Sequence, residues 1–245
     1  NKMKEMLEEP KFVHDANIFS LYKGKGSRYS LENERGIFIL SILRTIRDKL
    51  INNDIENIVE ENMSSSQVGS RKGKNIRNHI FTVNSVINSV IQLKSTPVDI
   101  QVFDIFKAFD KLWLEECCND MWDYGVQDEK LATIYEGNKT NEVAINTPLG
   151  QTSRMTVNRI VTQGGPLGPR LCSVQVDSLG KECLETGENV YLYRGEVPIP
   201  PLAMVDDMLT ISNCGIDSVE ANSFINSKFE TKKLQFNDSK CHKIH

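Results

Sequence analysis

A chain of 245 residues, 39% hydrophobic and 25% charged, has enough apolar surface for one large or two small globular units. No run resembles a membrane span or a signal peptide, and the six cysteines show neither paired metal spacing nor a disulfide framework, so a reducing, intracellular setting is expected. The net charge of −4 argues against a nucleic-acid binder until it is divided: residues 1–97 hold 15 Lys and Arg against 11 Asp and Glu, and residues 98–245 hold 14 against 22. A basic front suits phosphate and an acidic rear suits cations. The chain starts at Asn1 rather than Met, and we read it as a soluble piece of something longer.

An acidic, helix-favouring lead runs to about Asn17, broken at Pro10. Phe19–Tyr22 then reads as a strand entering the turn Lys23-Gly24-Lys25-Gly26-Ser27-Arg28. The glycines permit a tight bend, and the cations are placed to reach a triphosphate, although on this stretch alone a solvated loop is the better explanation. Arg35 and Gly36 precede Ile37, Ile39, Leu40, Ile42, Leu43, Ile46 and Leu50, which predict one broad helical face. The segment 64–75 predicts a flexible, basic loop, a phosphate-backbone contact feeding a helix with Ile76, Ile80, Val83, Ile87 and Val90 on one side. His79 on that helix is read as a packing residue.

Val98–Phe103 alternates as a strand and runs into Asp104, placing a carboxylate at the carboxyl end of a sheet strand, where sites tend to gather. Asp110 is the expected N-cap of the helix carrying Trp113. Helical patterns cover about Leu112–Tyr124 and Glu129–Asn138, and strand-like runs Glu142–Thr147 and Met155–Val161 flank a Pro148-Leu149-Gly150 turn. Thr162–Arg170 is a strand-to-helix junction whose glycines, Gly164 among them, let a nucleotide approach the backbone. Leu202–Ile211 holds two apolar runs interrupted by Asp206-Asp207, which predicts a tight hairpin with the acids at its tip. A solvated turn needs only one acid, and two adjacent like charges repel, whereas a divalent cation removes that repulsion. With Asp104 as third carboxylate the set suits two oxygen-ligated ions about 3.5–4 Å apart, as in polymerases and nucleases. Ile216–Lys232 then reads as an amphipathic helix, and 234–245 as strand, turn, strand.

Taken together the motifs resemble the reverse transcriptase domain of non-LTR (LINE-type) retrotransposons, over nearly the whole chain. Asp104–Trp113 looks like the family's first palm motif, Thr162–Pro169 like its template-and-nucleotide loop, and Met204–Asp207 like its catalytic hairpin. Arg35–Ser41 is similar to the finger segment, Ser66–Gly73 to the following basic motif, and Leu234–Cys241 to the stretch closing the palm. Departures stand at Met204-Val205, where the family has an aromatic and Ala, at Gly168 for Ser, at Cys172 for an aromatic, and at Gly36 for Pro.

The resemblance implies an α+β right-hand polymerase: an antiparallel palm sheet backed by helices, with fingers, and no thumb in this fragment. Residues 1–97 would form fingers and basic template-facing segments, and 98–245 the palm, with 141–160 returning to the fingers. The resemblance implies RNA-directed DNA synthesis. Asp104, Asp206 and Asp207, with the Ile105 carbonyl, would hold two Mg²⁺ ions, Mn²⁺ being the alternative. Lys23 and Arg35 would clamp the triphosphate of a dNTP, Gln163 and Gly164 would contact the nucleotide, and Lys240 would meet the pyrophosphate. Phe109 would lie under the incoming sugar and exclude a 2′-hydroxyl, although a core Phe beside Phe106 fits the periodicity equally well. Implied partners are an RNA template, a DNA primer or nicked target DNA, and thumb and endonuclease domains of the same polyprotein. No membrane is implied, and the expected compartments are cytoplasm and nucleus. The alternatives are a catalytically inactive domain that binds RNA or protein, and a group II intron-type maturase, which shares Gln-Gly-Gly-Pro-Leu.

Overall fold

A computed structural model describes residues 14–94, 96–105, 108–158, 161–187, 190–237 and 241–244. In chain order these form β1 (Asp15–Tyr22), β2 (Glu34–Leu40), α1 (Ile42–Asn62), α2 (Arg77–Leu93), β3 (Val98–Asp104), α3 (Ala108–Lys111), α4 (Leu114–Asp123), α5 (Asp128–Lys139), β4 (Thr140–Thr147), β5 (Gly150–Gln151), β6 (Met155–Asn158), α6 (Gly168–Thr186), β7 (Tyr191–Tyr193), β8 (Val197–Ile199), β9 (Leu202–Met204), β10 (Asp207–Asn213), α7 (Ile216–Thr231) and β11 (His242–Ile244). The described residues divide into two units interleaved along the sequence, one from Asn1–Val59 and Leu112–Leu171, the other from Glu60–Lys111 and Cys172–His245. Compactness therefore does not divide the chain at residue 97.

In the first unit β1 lies between β2, to which it is antiparallel, and β4, to which it is parallel. Strands β5 and β6 both pair antiparallel with β4. The single helical face expected from Ile37 to Leu50 is corrected here: residues 34–40 are strand, and helix begins only at Ile42. Ser41 makes the break. Its hydroxyl accepts from the Arg44 amide at 3.2 Å and its carbonyl from the Thr45 amide at 2.9 Å, an N-cap that ends one period and starts the other.

Helix α1 is also turned the other way from its pattern. Ile42, Leu43, Ile46 and Leu50 are exposed, while Arg44 and Asp48 are buried with Ile55 and Val59. A buried guanidinium is tolerated only when paired. Arg44 donates through Nη1 to Asn141 and through Nη2 to Asn138 at 3.0 Å, and its Nε lies 3.7 Å from the Asp48 carboxylate. Helices α4 and α5 add Leu114, Cys117, Met121 and Ile134 to the buried set. The helix expected to carry Trp113 from an Asp110 cap breaks instead: α3 ends at Lys111, and Trp113 is the N-cap of α4. The Asp110 side chain lies outside the described residues.

The second unit is built on an antiparallel sheet in the order β11-β3-β10-β9. Strand β3 is in register with β10 from Asp104 opposite Asp207 to Val98 opposite Asn213. One face of the sheet is apolar: Val98 and Ile211 cluster with Val86 of α2, Ile199 and Leu202. Fully burying each such side chain stabilises by about 1.5–3 kcal/mol. The polar residues alternating along β3 are buried as well, which the simple in-out pattern did not foresee. Asp99 is paired with Lys243 Nζ at 2.8 Å and accepts from the Cys214 thiol at 3.0 Å. His79, expected to pack in the core or at the surface, is buried, and α7 forms where the amphipathic pattern placed it.

Candidate active site

The catalytic candidates of the second unit meet through strand register. Antiparallel partners project on the same face, so Asp104 at the end of β3 and Asp207 at the start of β10 share a face of the sheet edge. Asp206 is the second residue of the two-residue turn that joins β9 to β10, since Met204 pairs with Asp207. Asp104 and Asp206 are half-buried and Asp207 is exposed. Among the described residues no group of three or more His, Cys, Asp or Glu side chains stands close enough together to hold a metal ion. The side-chain donors on the two strands and their turn are all hard carboxylate oxygens, and that chemistry fits a hard divalent cation rather than a metal preferring thiolate or imidazole. Asp206 makes itself felt at Cys172, at the position where the family has an aromatic: burial pushes this thiol well up, and the Asp206 charge adds to the effect.

Asp104 is further tied at its backbone, where its carbonyl accepts from the Asn237 amide at 2.9 Å beside the bridge between Ile105 and Phe236. Phe236 stacks between Phe103 and Phe229, with ring centroids 5.0 and 4.3 Å away. The stretch closing the palm thereby holds the end of β3. Ile105 is buried, and Phe109 sits half-buried in α3, five residues beyond Asp104. Lys240 lies outside the described residues.

The nucleotide-clamp candidates belong to the first unit. Lys23 follows β1 and is exposed, its Nζ donating to the Glu32 carbonyl at 2.7 Å. Arg35 is exposed on β2, opposite Leu21. The Gln163-Gly164 loop lies against that same strand: the Gln163 carbonyl accepts from the Phe38 amide at 2.9 Å. Gly164 has φ +107°, and a Cβ there would stand 2.8 Å from the Phe38 carbonyl oxygen. The close approach allowed by this glycine is thus to β2, the strand carrying Arg35.

The loop from Ser64 to Arg71, expected to be flexible and phosphate-facing, is corrected. Ser66, Gln67, Val68 and Gly69 are buried. The Ser66 carbonyl accepts from the Ala203 amide at 2.8 Å and the Val68 amide donates to the Ala203 carbonyl at 2.9 Å, so the loop pairs with β9 through a single parallel bridge. Arg71, rather than reaching phosphate, pairs with Glu60 at 2.9 Å and donates to the Gln67 carbonyl at 2.7 Å. Lys72, Lys74 and Arg77 remain exposed. Gln67, which residue-by-residue reading passed over, points its amide at the turn carrying Asp206.

The profile of the family described as "Reverse transcriptase (RNA-dependent DNA polymerase)" matches residues 23–245. The chain belongs to the reverse transcriptase family. A curated relative, the "Retrovirus-related Pol polyprotein from type-1 retrotransposable element R2" of Popillia japonica, is 26% identical over 184 residues, 74% of this chain. The reverse transcriptase chain spans about a quarter, 25%, of that relative's length. Both findings support the resemblance to non-LTR reverse transcriptase domains. Among solved structures, telomerase of Candida albicans superposes with a TM-score of 0.67 at 11% identity, covering 98% of this chain and 43% of that one. Apo telomerase of Candida tropicalis gives 0.65 at 14%, covering 97% and 51%. At such identities the likeness concerns the fold alone, which is that of a reverse transcriptase with palm and fingers.

Proposed function

We propose that the chain is the polymerising core of a non-LTR retrotransposon reverse transcriptase, extending a DNA primer by dNTP addition on an RNA template. The observation that carries this reading is the register that sets Asp104 opposite Asp207 with Asp206 beside them in the turn. The second unit is then the palm, and the first corresponds to the fingers. Asp104, Asp206 and Asp207, with the backbone of Ile105, would hold the divalent ions, two Mg²⁺ or their Mn²⁺ counterparts. Bound there, such ions favour ionisation of the primer 3′-hydroxyl and neutralise the leaving pyrophosphate.

The chain's own residues have separate tasks. Arg35 offers a bidentate fork and Lys23 a mobile point charge for the triphosphate. The Gln163-Gly164 backbone positions the nucleotide, Phe109 closes the space a ribose 2′-hydroxyl would need, and Lys240 meets the pyrophosphate. The whole polyprotein would add a thumb and an endonuclease acting on nicked target DNA, and would work in cytoplasm and nucleus. Among the described residues no helix is long and apolar enough to cross a membrane.

Primer extension by the full-length protein on an RNA template with Mg²⁺ or Mn²⁺ tests the reading. Extension should fall on the order of a thousandfold or more in Asp206→Asn and in Asp104→Asn. No extension by the intact parent would leave only a binding domain.

A further inference from the structure

The turn bearing Asp206 is built on an unfavourable residue. Val205 has φ +61°, in the left-handed region, which a β-branched side chain enters only under strain. A positive φ at the first of two central turn residues is the pattern in which glycine is the usual occupant. Such a conformation persists only where its surroundings over-determine it, and here they can be named. The Gln67 side chain, fully buried, grips Val205 from both sides: its Oε1 accepts from the Val205 amide at 2.9 Å, and its Nε2 donates to the Val205 carbonyl at 3.1 Å. The same Oε1 accepts from the Gly69 amide at 2.8 Å, and Nε2 also donates to the Ser173 carbonyl at 3.4 Å.

The support for Gln67 is layered in turn. Its backbone is bonded by Arg71, which is locked to Glu60, and Ser64 donates through its hydroxyl and, at 2.9 Å, through its amide to Asp177. Gly69 lets the loop come this near: a Cβ there would fall 2.2 Å from the Val205 nitrogen and 2.5 Å from its Cγ2. Backbone nitrogen cannot swing away as a side-chain tip can, so any larger residue would push the turn itself.

We infer that Gln67 is a positioning residue for polymerisation, a clamp whose side-chain amide holds Val205 in its left-handed conformation and so fixes the direction of the Asp206 carboxylate. It touches neither substrate nor reacting atoms. The amide is needed because it donates and accepts on one planar group, matching the carbonyl and amide of a single residue. An isosteric apolar side chain lacks both halves of that match, and a singly functional one lacks one. The inference rests on the proposed polymerase activity and adds to it a requirement outside the carboxylates.

The experiment is a pair of kinetic cycles in the full-length protein, read as primer extension on an RNA template. Gln67→Met, which keeps the volume and drops the hydrogen bonds, should lower kcat on the order of 10- to 100-fold while the KM for dNTP stays within about threefold, as expected for a misplaced reacting group. In a Val205→Gly background, where φ +61° costs nothing, the same change should lower kcat by less than about threefold. Gly69→Ala should also lower kcat, and the Val205→Gly background should not restore it, because the clash with the backbone nitrogen remains.

A loss from Gln67→Met that is equal in both backgrounds would show packing rather than clamping and overturn the inference. So would a kcat within about twofold of the parent. An inactive parent would instead remove the polymerase reading itself. Amide hydrogen exchange needs no turnover: Gln67→Met should speed exchange at Val205 and Gly69 and leave Thr210 and Ile211 protected. Unchanged exchange at Val205 overturns the clamp whatever the activity.

Discussion

Two hairpins of this chain solve the same backbone problem in opposite ways. The turn between β1 and β2 takes its positive φ values at Gly24 (+74°) and Gly26 (+72°), where no side chain resists them. It is exposed, and its closing bonds come from within the loop and its two strand ends: Lys23 donates from its backbone to Asn33 at 2.8 Å, the Asn33 side chain to the Ser27 carbonyl at 2.8 Å, and the Tyr22 hydroxyl to the Gly26 carbonyl at 2.7 Å. The turn between β9 and β10 takes its positive φ at Val205 and is held from outside by a buried amide. A glycine turn meets no Cβ penalty at these φ values, so nothing outside the loop is needed to hold them. A valine turn held by Gln67 has one arrangement until the clamp is lost. The difference suits the tasks proposed for them, since a clamp for a mobile triphosphate gains from adaptability and a carboxylate that orients a reaction gains from having none.

The largest effect expected from the adaptable hairpin follows removal of Arg35. Loss of a charge-assisted bidentate contact costs about 1.5–3 kcal/mol, so Arg35→Ala should raise the KM for dNTP about tenfold or more. Steady-state extension over a dNTP series reads it. A loss confined to kcat would place Arg35 with the rigid hairpin and break the comparison.

Gly24→Ala is the smaller counterpart. A Cβ at this position would meet nothing within 4 Å, so only the left-handed backbone is penalised, by about 1 kcal/mol of stability. Thermal melting should show that loss, with kcat for extension unchanged. Gly69→Ala has no comparable latitude, and setting the two side by side separates a glycine kept for its φ from one kept for its missing Cβ.

The sequence made the acidic framework legible because it depends on short-range signals. Alternation along β3, two apolar runs around Asp206-Asp207 and the glycine-proline junction before α6 are each written within about ten residues. Residues 34–50 hide their boundary because isoleucines and leucines continue through the change from period two to helical period, and only Ser41 marks it. Helix α1 departs from its pattern for a deeper reason. Its buried side carries Arg44 and Asp48, and whether a charged face is buried depends on partners such as Asn138 and Asn141, almost a hundred residues away. The Ser64–Arg71 loop hid itself the same way: Ser, Gly, Arg and Lys are loop composition, and nothing local shows that Gln67 will meet Val205, 138 residues on. The resemblance singled out the motif, whereas the phosphate-facing role was suggested by its basic loop composition, which carries no sign of the burial.

The smallest effect sharpens the rigid side of the comparison. His79 is buried beside the start of the clamp loop, and burial lowers its pKa below the ordinary 6.5, with a hydrogen bond to the Ser66 backbone opposing the shift. Because the folded state holds this proton more weakly than the unfolded chain, the unfolded state binds more protons as pH falls through 6.5. The stability it contributes is complete above that value and is lost below it, down towards the lowered folded pKa. Melting temperature followed from about pH 7.5 to about pH 5.5 should therefore drop further in the parent than in His79→Gln, which keeps a polar side chain near Ser66 and cannot titrate. Carboxylates contribute equally to both proteins over this range, so the difference between the two curves isolates the imidazole. Relative to the intrinsic exchange rate at each pH, the same acidification should lower amide protection at Val68 in the parent before it lowers that of the strand amides of β10. Identical melting curves would mean that His79 is as well solvated as an exposed histidine, and that the loop against the turn bearing Asp206 opens more readily than its hydrogen bonds imply.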